Sequence, residues 1–226
     1  VIDIPMDGAA PGLNILEGLA FDRMGRLYVC NTPLGRIFTV DVEAGTVEPF
    51  CQLPQGLMPS AVKLHRDGRL FITCVVEGIG GCLAVLSPDG ELLDRLIETE
   101  EHLFDDMVFD AQGGIYLTDL GGSIASPTSG VWYLAPGARD PRRMVGGMVS
   151  SNGIALAPDG SALWVTEYGR GLLHWIELGR EPGRIEAVGS RIPYRFSGLE
   201  GPDSACADAA GNLYVALCGQ GRFLIF

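Results

Sequence analysis

Five segments of the chain match one another at a near-constant period, and this repeat constrains the fold more than any other feature. They are EGLAFDRMGRLYV from Glu17, SAVKLHRDGRLFI from Ser60, DDMVFDAQGGIYL from Asp105, NGIALAPDGSALWV from Asn152 and DSACADAAGNLYV from Asp203. Each is a short apolar run, a turn and a second apolar run. The turn glycines are Gly25, Gly68, Gly113, Gly160 and Gly211, spaced 43, 45, 47 and 51 residues apart. DRMG, RDG, AQGG, PDG and AAGN place Gly, Asp or Asn where a hairpin needs positive φ. The flanking runs carry the β-branched and aromatic residues that strands prefer. Further strand candidates fill the intervals: RIFTVDV then VEPFC, LAVLSPDG then LLDRLI, VWYLAP then RRMVG, LLHWIEL then RIEAVG. Four strands per repeat of this length predict a β-propeller blade. The expected fold is therefore all-β, one propeller domain over residues 1–226. Five blades are visible, and GQGRFLIF reads as the third strand of the fifth. A further innermost strand would fall about 45 residues past Gly211 by the repeat period, so the ring is expected to be C-terminally incomplete.

Composition agrees. Gly (32) and Pro (14) make up about a fifth of the 226 residues without a Gly-X-Y period, and 47% of the chain is apolar. That suits many short strands joined by tight turns. The formal charge of −12 argues against nucleic acid and anionic membrane surfaces as partners, since both are bound through Lys and Arg. No apolar stretch approaches the roughly 18 residues of a spanning helix. The opening VIDIPMDGAAPG shows no basic and apolar signal-peptide regions. The six cysteines lack C-x-x-C spacing; with four of them in YVC, FITC, GGCLAV and YVALC they read as buried reduced thiols of a cytoplasmic protein, a disulfide or two being the alternative.

The aligned glycines define equivalent positions. Eight residues before each stand Glu17, Ser60, Asp105, Asn152 and Asp203, all with side-chain oxygens. The next positions hold Gly18, Ala61, Asp106, Gly153 and Ser204, small apart from Asp106. In a propeller the first strand of each blade lines the channel, so these oxygens are expected at one depth. Three carboxylates there would repel unless paired. A hard divalent cation resolves this, and a set without His or Cys suits Ca²⁺ or Mg²⁺ more than Zn²⁺. The small neighbours are expected to leave room for substrate and water. The competing view is that these residues merely end strands at a wet channel mouth.

The runs EGLAFDRMGRLYV, DDMVFDAQGGIYLTD, SNGIALAPDG and GPDSACADAAGNLYVA resemble the senescence marker protein/gluconolactonase (regucalcin-like) family, most of all its drug-responsive lactonase branch. The resemblance spans Leu16 to Gly221. It implies a six-bladed β-propeller with a divalent metal, expected to be Ca²⁺ with Mg²⁺, Mn²⁺ or Zn²⁺ as alternatives, and hydrolysis of a small lactone or ester. Glu17, Asn152 and Asp203 match the family's metal ligands. Asp105 matches a residue at the catalytic metal and is the candidate proton-transfer group. Asp106 resembles a ligand of a second cation, and Ser60 matches the second-blade position near the metals. Leu103 stands where sugar-lactone members carry Arg, so a polyhydroxylated sugar lactone is not the expected substrate. With Phe104 it permits an apolar pocket, to which His102 and Ser204 are also assigned.

Other chemistry finds little support. No G-x-S-x-G elbow is present. GIGG at Gly78–Gly81 reads as a loop, and GGSIASPTSG at Gly121–Gly130 as a rim loop. His65 and His174 read as structural or exposed, and Trp132, Trp164 and Trp175 as blade-packing aromatics. Two further readings stand beside the lactonase: a non-enzymatic ligand- or protein-binding propeller with a structural metal, and a phosphotriesterase-like hydrolase.

Overall fold

A computed structural model describes residues 2, 4, 15–77 and 80–226, with the backbone alone at residues 187 and 188. It is all-β apart from one 3₁₀ turn at Tyr168–Arg170. The described strands form five sheets, each an antiparallel meander in chain order. The first has β1 (Leu16–Phe21), β2 (Arg26–Asn31), β3 (Arg36–Asp41) and β4 (Thr46–Gln52). The second has β5 (Leu57–Leu64), β6 (Leu70–Val76), β7 (Gly80–Leu86) and β8 (Leu92–Thr99). The third has β9 (Phe104–Phe109), β10 (Ile115–Asp119), β11 (Ser129–Leu134) and β12 (Arg142–Met148). The fourth has β13 (Ser151–Leu156), β14 (Ala162–Glu167), β15 (Leu172–Leu178) and β16 (Ile185–Arg195). The fifth has β17 (Pro202–Ala207), β18 (Leu213–Leu217) and β19 (Arg222–Ile225). These are the strands the repeat predicts, and five such sheets are the blades of a β-propeller.

The chain divides into two compact units, residues 1–104 and 105–226. The first is built on Tyr28, Ile37, Leu57, Val62, Ile72 and Leu86. The second has one cluster around Tyr116, Ile154, Leu163 and Ile176, and another around Leu173, Phe196, Leu213 and Val215. Trp164 and Trp175 pair edge-on across β14 and β15, with ring centroids 4.4 Å apart. Middle strands are covered on both faces, so β7 reads GGCLAVL without a polar residue. Outermost strands such as β12 (RRMVGGM) are largely exposed.

The five turn glycines all have positive φ, from 72° at Gly160 to 92° at Gly68 and Gly211. Three of the turns are closed by an aspartate. Asp22 Oδ1 accepts from the N–H groups of Met24 and Arg26, and Asp110 and Asp208 do the same in their own turns. Part of the acidic excess is thus spent on turn closure.

The cysteines are all free thiols, but they are not one class. Cys30, Cys74 and Cys82 are core residues, whereas Cys206 is exposed and Cys218 half-buried beside Asp203. Gly121–Ser123 and residues 124–128 form the expected loop, but Ser129 and Gly130 already belong to β11. Gly80 and Gly81 open β7, while Gly78, Ile79 and most of the N-terminal segment lie outside the described residues. Among the described residues no helix is long and apolar enough to cross a membrane.

Candidate functional site

All five oxygen-bearing positions fall on the first strand of their sheets. In four of these strands the pairing register slips there, between Glu17 and Ala20, Pro59 and Ala61, Ser151 and Ile154, and Pro202 and Ala205. A β-bulge re-aims side chains and leaves backbone groups without ladder partners.

In the first unit, Glu17 is half-buried and Ser60 buried. Gly18 sits at φ 57°, and a Cβ there would lie 2.2 Å from Ala61 Cα and 2.4 Å from Ser60 O. In the second unit, a Cβ on Gly153 would lie 2.4 Å from Ala205 N and 2.7 Å from Asp203 O. At Gly18 and Gly153 the missing side chain therefore lets the backbone of the next sheet close in. That corrects, for these two glycines, the expectation that they are small to admit substrate and water. His102 and Leu103 are half-buried just before β9, and the His102 ring lies 5.6 Å from that of Phe104.

The second unit assembles most of the candidate set. Asp105, Asp106 and Asn152 are buried, and Asp203 and Ser204 half-buried. Asp106 spends its carboxylate on backbone. Oδ1 accepts from Met107 N at 2.8 Å and Oδ2 from Ile154 N at 3.3 Å. It thereby ties β9 to β13, a structural use for a residue assigned to a second cation. Burial pushes the Asp203 carboxyl above its ordinary value. Hydrogen bonds from the Asn152 side chain, the Cys218 thiol and its neighbour's backbone pull the other way, and the Asp106 charge adds to the rise.

Two threonines that sequence reasoning missed hold these strands. Thr118 Oγ1 accepts from Asp106 N at 3.0 Å and donates to the carbonyl of Asn152. Thr166 Oγ1 accepts from Gly153 N at 2.8 Å and donates to the carbonyl of Asp203 at 2.7 Å. Each hydroxyl bonds the first strand of its own sheet, Thr166 at the register slip of β13, and grips the first strand of the next. The available signal was a Thr five or six residues after the turn glycine, at Thr73, Thr118 and Thr166.

Among the described residues no group of three His, Cys, Asp or Glu is placed to hold a metal. The donor set nonetheless fits a hard cation once the amide is counted. Asn152 Oδ1 is buried without a hydrogen-bond partner. A buried acceptor left unpaired costs about 1–3 kcal/mol. It accompanies Asp203, a carboxyl raised by burial and by the charge of Asp106. An all-oxygen set short of positive charge is chemistry that Ca²⁺ or Mg²⁺ satisfies.

The bladed sheets and their oxygen-bearing first strands define a β-propeller protein, and comparison with known proteins narrows this. Residues 96–226 match the family model described as SMP-30/Gluconolactonase/LRE-like region, and the chain belongs to that family. A curated relative, "Lactonase drp35" of Staphylococcus haemolyticus, is 43% identical over 216 residues, covering 93% of this chain and 66% of the relative. The chain thus spans just under two thirds of that relative's length. Among solved structures, the calcium-binding protein regucalcin from Agrobacterium tumefaciens superposes with a TM-score of 0.76 at 19% identity, covering 95% of this chain and 71% of that one. A gluconolactonase from Xanthomonas campestris gives 0.70 at 19% identity, covering 94% and 75%. At such identities the structural likeness carries the fold alone.

Proposed function

We propose that this chain belongs to a divalent-metal-dependent lactonase, a carboxylic ester hydrolase acting on a small lactone. The observation that carries the reading is the buried Asn152 Oδ1, which lacks a protein partner and accompanies the raised carboxyl of Asp203. The curated relative's name supports the substrate class. Asn152, Asp203 and Asp105 would hold the cation, with Ca²⁺ the preferred ion; Glu17 joins them on the family resemblance. Asp106 and Ser60 remain candidates for a second cation on that same basis.

When bound, the ion supplies Lewis-acid polarisation of the lactone carbonyl. The chain's own residues supply the rest. Asp105 takes a proton from water as the water oxygen bonds to the carbonyl carbon. The ring C–O bond then breaks, and the proton passes to the departing alkoxide, giving the hydroxy acid. His102, Leu103 and Ser204 would line the substrate pocket, and the apolar Leu103 favours a lactone without sugar hydroxyls. The unbroken blade period supports one propeller domain over residues 1–226, and the family resemblance alone makes it of the six-bladed type. Six free cysteines support a reducing, cytoplasmic setting.

A lactone panel assayed with EDTA and then with Ca²⁺, Mg²⁺, Mn²⁺ or Zn²⁺ restored tests the proposal. Hydrolysis is expected to disappear with chelation, to return with one ion, and to be lost in Asp105→Asn and Glu17→Gln. Turnover indifferent to EDTA, or near wild type in both variants, overturns it.

A further inference from the structure

The connection from β12 into β13 carries Ser150, which among the described residues is the one residue other than glycine at positive φ, 52°. A side chain in that region is strained, and the conformation persists only where its surroundings over-determine it. Ser150 is held from both sides: its N–H donates to Gly121 O and its carbonyl accepts from Tyr168 N, each at 2.9 Å. The residue before it is held as well. Val149 N donates to Glu167 Oε1 at 2.9 Å, and Val149 O accepts from Gly169 N at 3.1 Å. Gly169 packs so closely that a Cβ there would stand 2.3 Å from Val149 Cγ1. Arg170 Nη1 closes the clamp, donating to Glu167 Oε1 at 3.2 Å and to Gly147 O at 2.8 Å. Two residues past Ser150 stands Asn152, with its buried and unpartnered Oδ1.

All of these bonds except the one to Gly121 come from Glu167–Arg170, the end of β14 and the turn after it. Arg170 is the part that reaches furthest back along the connection, to Gly147, and it ties that point to the buried Glu167 carboxylate. We infer that Arg170 is a positioning residue for Asn152: it holds residues 147–150 against the strain at Ser150, so that the chain enters β13 in one conformation and the Asn152 Oδ1 is presented to a cation in a fixed direction. The inference rests on the cation-binding reading above. Arg170 makes no hydrogen bond to Asn152, so its effect passes through the connection. Outer groups that orient a ligand typically contribute 10–100-fold to metal affinity. Coulomb's law alone gives the opposite sign, since deleting a positive charge near a cation site favours the ion. The direction of the change therefore separates orientation from charge.

Calcium titration calorimetry on wild-type protein, Arg170→Ala, Ser150→Gly and the double variant tests this, with melting temperatures taken in EDTA. Arg170→Ala is expected to weaken Ca²⁺ binding about tenfold, the lower end for loss of an outer partner. Ser150→Gly is expected to bind within about threefold of wild type, because glycine adopts positive φ without strain. In the double variant no strain remains for the clamp to hold, so losing Arg170 is expected to cost no more than about threefold. A merely structural arginine would lower the melting temperature equally in both backgrounds and leave Ca²⁺ affinity alone. Arg170→Met, which keeps the stem without donors, replaces Ala if that variant does not fold. Ca²⁺ affinity unchanged or tightened in the non-donor variant, or a loss as large in the double variant as in the single one, overturns the positioning role alone. Wild-type protein that binds no Ca²⁺ overturns the cation reading and this inference with it.

Discussion

Thr166 donates its hydroxyl proton to the backbone carbonyl of Asp203 across 2.7 Å while accepting from Gly153 N at 2.8 Å. One side chain on β14 thus fixes the bulge of its own sheet and the first strand of the next. Valine has the same shape without the hydroxyl. Thr166→Val should therefore cost about 2–3 kcal/mol, chiefly by stranding the Gly153 N–H. Thr166→Ser should recover most of it. Urea unfolding of the three proteins measures the difference, and a Val variant as stable as wild type contradicts the role assigned to this hydroxyl.

Gly153 tests the same contact from the other side. A methyl group there meets Ala205 N at 2.4 Å and Asp203 O at 2.7 Å, both backbone atoms that can move only with their strand. Gly153→Ala should destabilise by about 3 kcal/mol, at the upper end for overpacking. Gly160 provides the contrast. It also faces a penalty, from φ 72°, but a Cβ there meets nothing within 4 Å. Gly160→Ala should cost only about 1 kcal/mol. Comparable costs at the two positions would mean that conformational strain, not the approach of β17, governs Gly153.

What could be seen in the sequence was whatever depends on residues close together along it. The glycine turns and the alternation of strands are local, and they were legible. So was the row of oxygens from Glu17 to Asp203, because the turn glycine supplies a ruler. The bulges that aim those oxygens were not, since a register slip is a property of two strands. Gly153 looked like space for a substrate because the backbone of Asp203–Ala205, some fifty residues away, is invisible from its neighbours. The backbone bond that Asp106 makes was hidden for the same reason: its partner Ile154 N belongs to another sheet. Cys218 read as one more strand thiol, and only the fold brings it to Asp203.

His174 was legible as a structural strand residue but its partner was not. Glu167, 1% exposed, meets His174 Nε2 at 2.7 Å and accepts from Val149 N at 2.9 Å, and Arg170 lies 3.2 Å away. Burial pushes the Glu167 carboxyl up, but these hydrogen bonds and charges outweigh it and hold it below its ordinary 4.5. A lowered folded value means that the ionised carboxylate stabilises the fold. That contribution is complete above 4.5 and is lost as pH falls through the lowered value. Glu167→Gln should cost about 3 kcal/mol near neutral pH, the lower end for breaking a buried pair. The gap from wild type in melting temperature should narrow on acidification. A gap that is constant with pH would assign the loss to packing instead of charge.

Asp203 has the opposite sign, and this yields the sharpest separation of stability from function. Burial and the Asp106 charge raise its carboxyl, so in the absence of a cation the ionised group opposes folding. Stability from this residue is fully present below the ordinary 3.8 and is lost as pH rises through the raised folded value. Asparagine keeps the shape and removes the charge. Asp203→Asn should therefore melt higher than wild type in EDTA at neutral pH, while losing the stabilisation that wild type gains from added Ca²⁺. It should also lose metal-dependent lactone hydrolysis. Thermal melts of both proteins with EDTA and with saturating Ca²⁺ give the four values needed. The expected pattern is a crossing, with the variant more stable without the ion and wild type more stable with it. An Asn variant that melts below wild type under both conditions would show that the Asp203 charge serves the fold, and would remove the physical basis for placing a cation beside it.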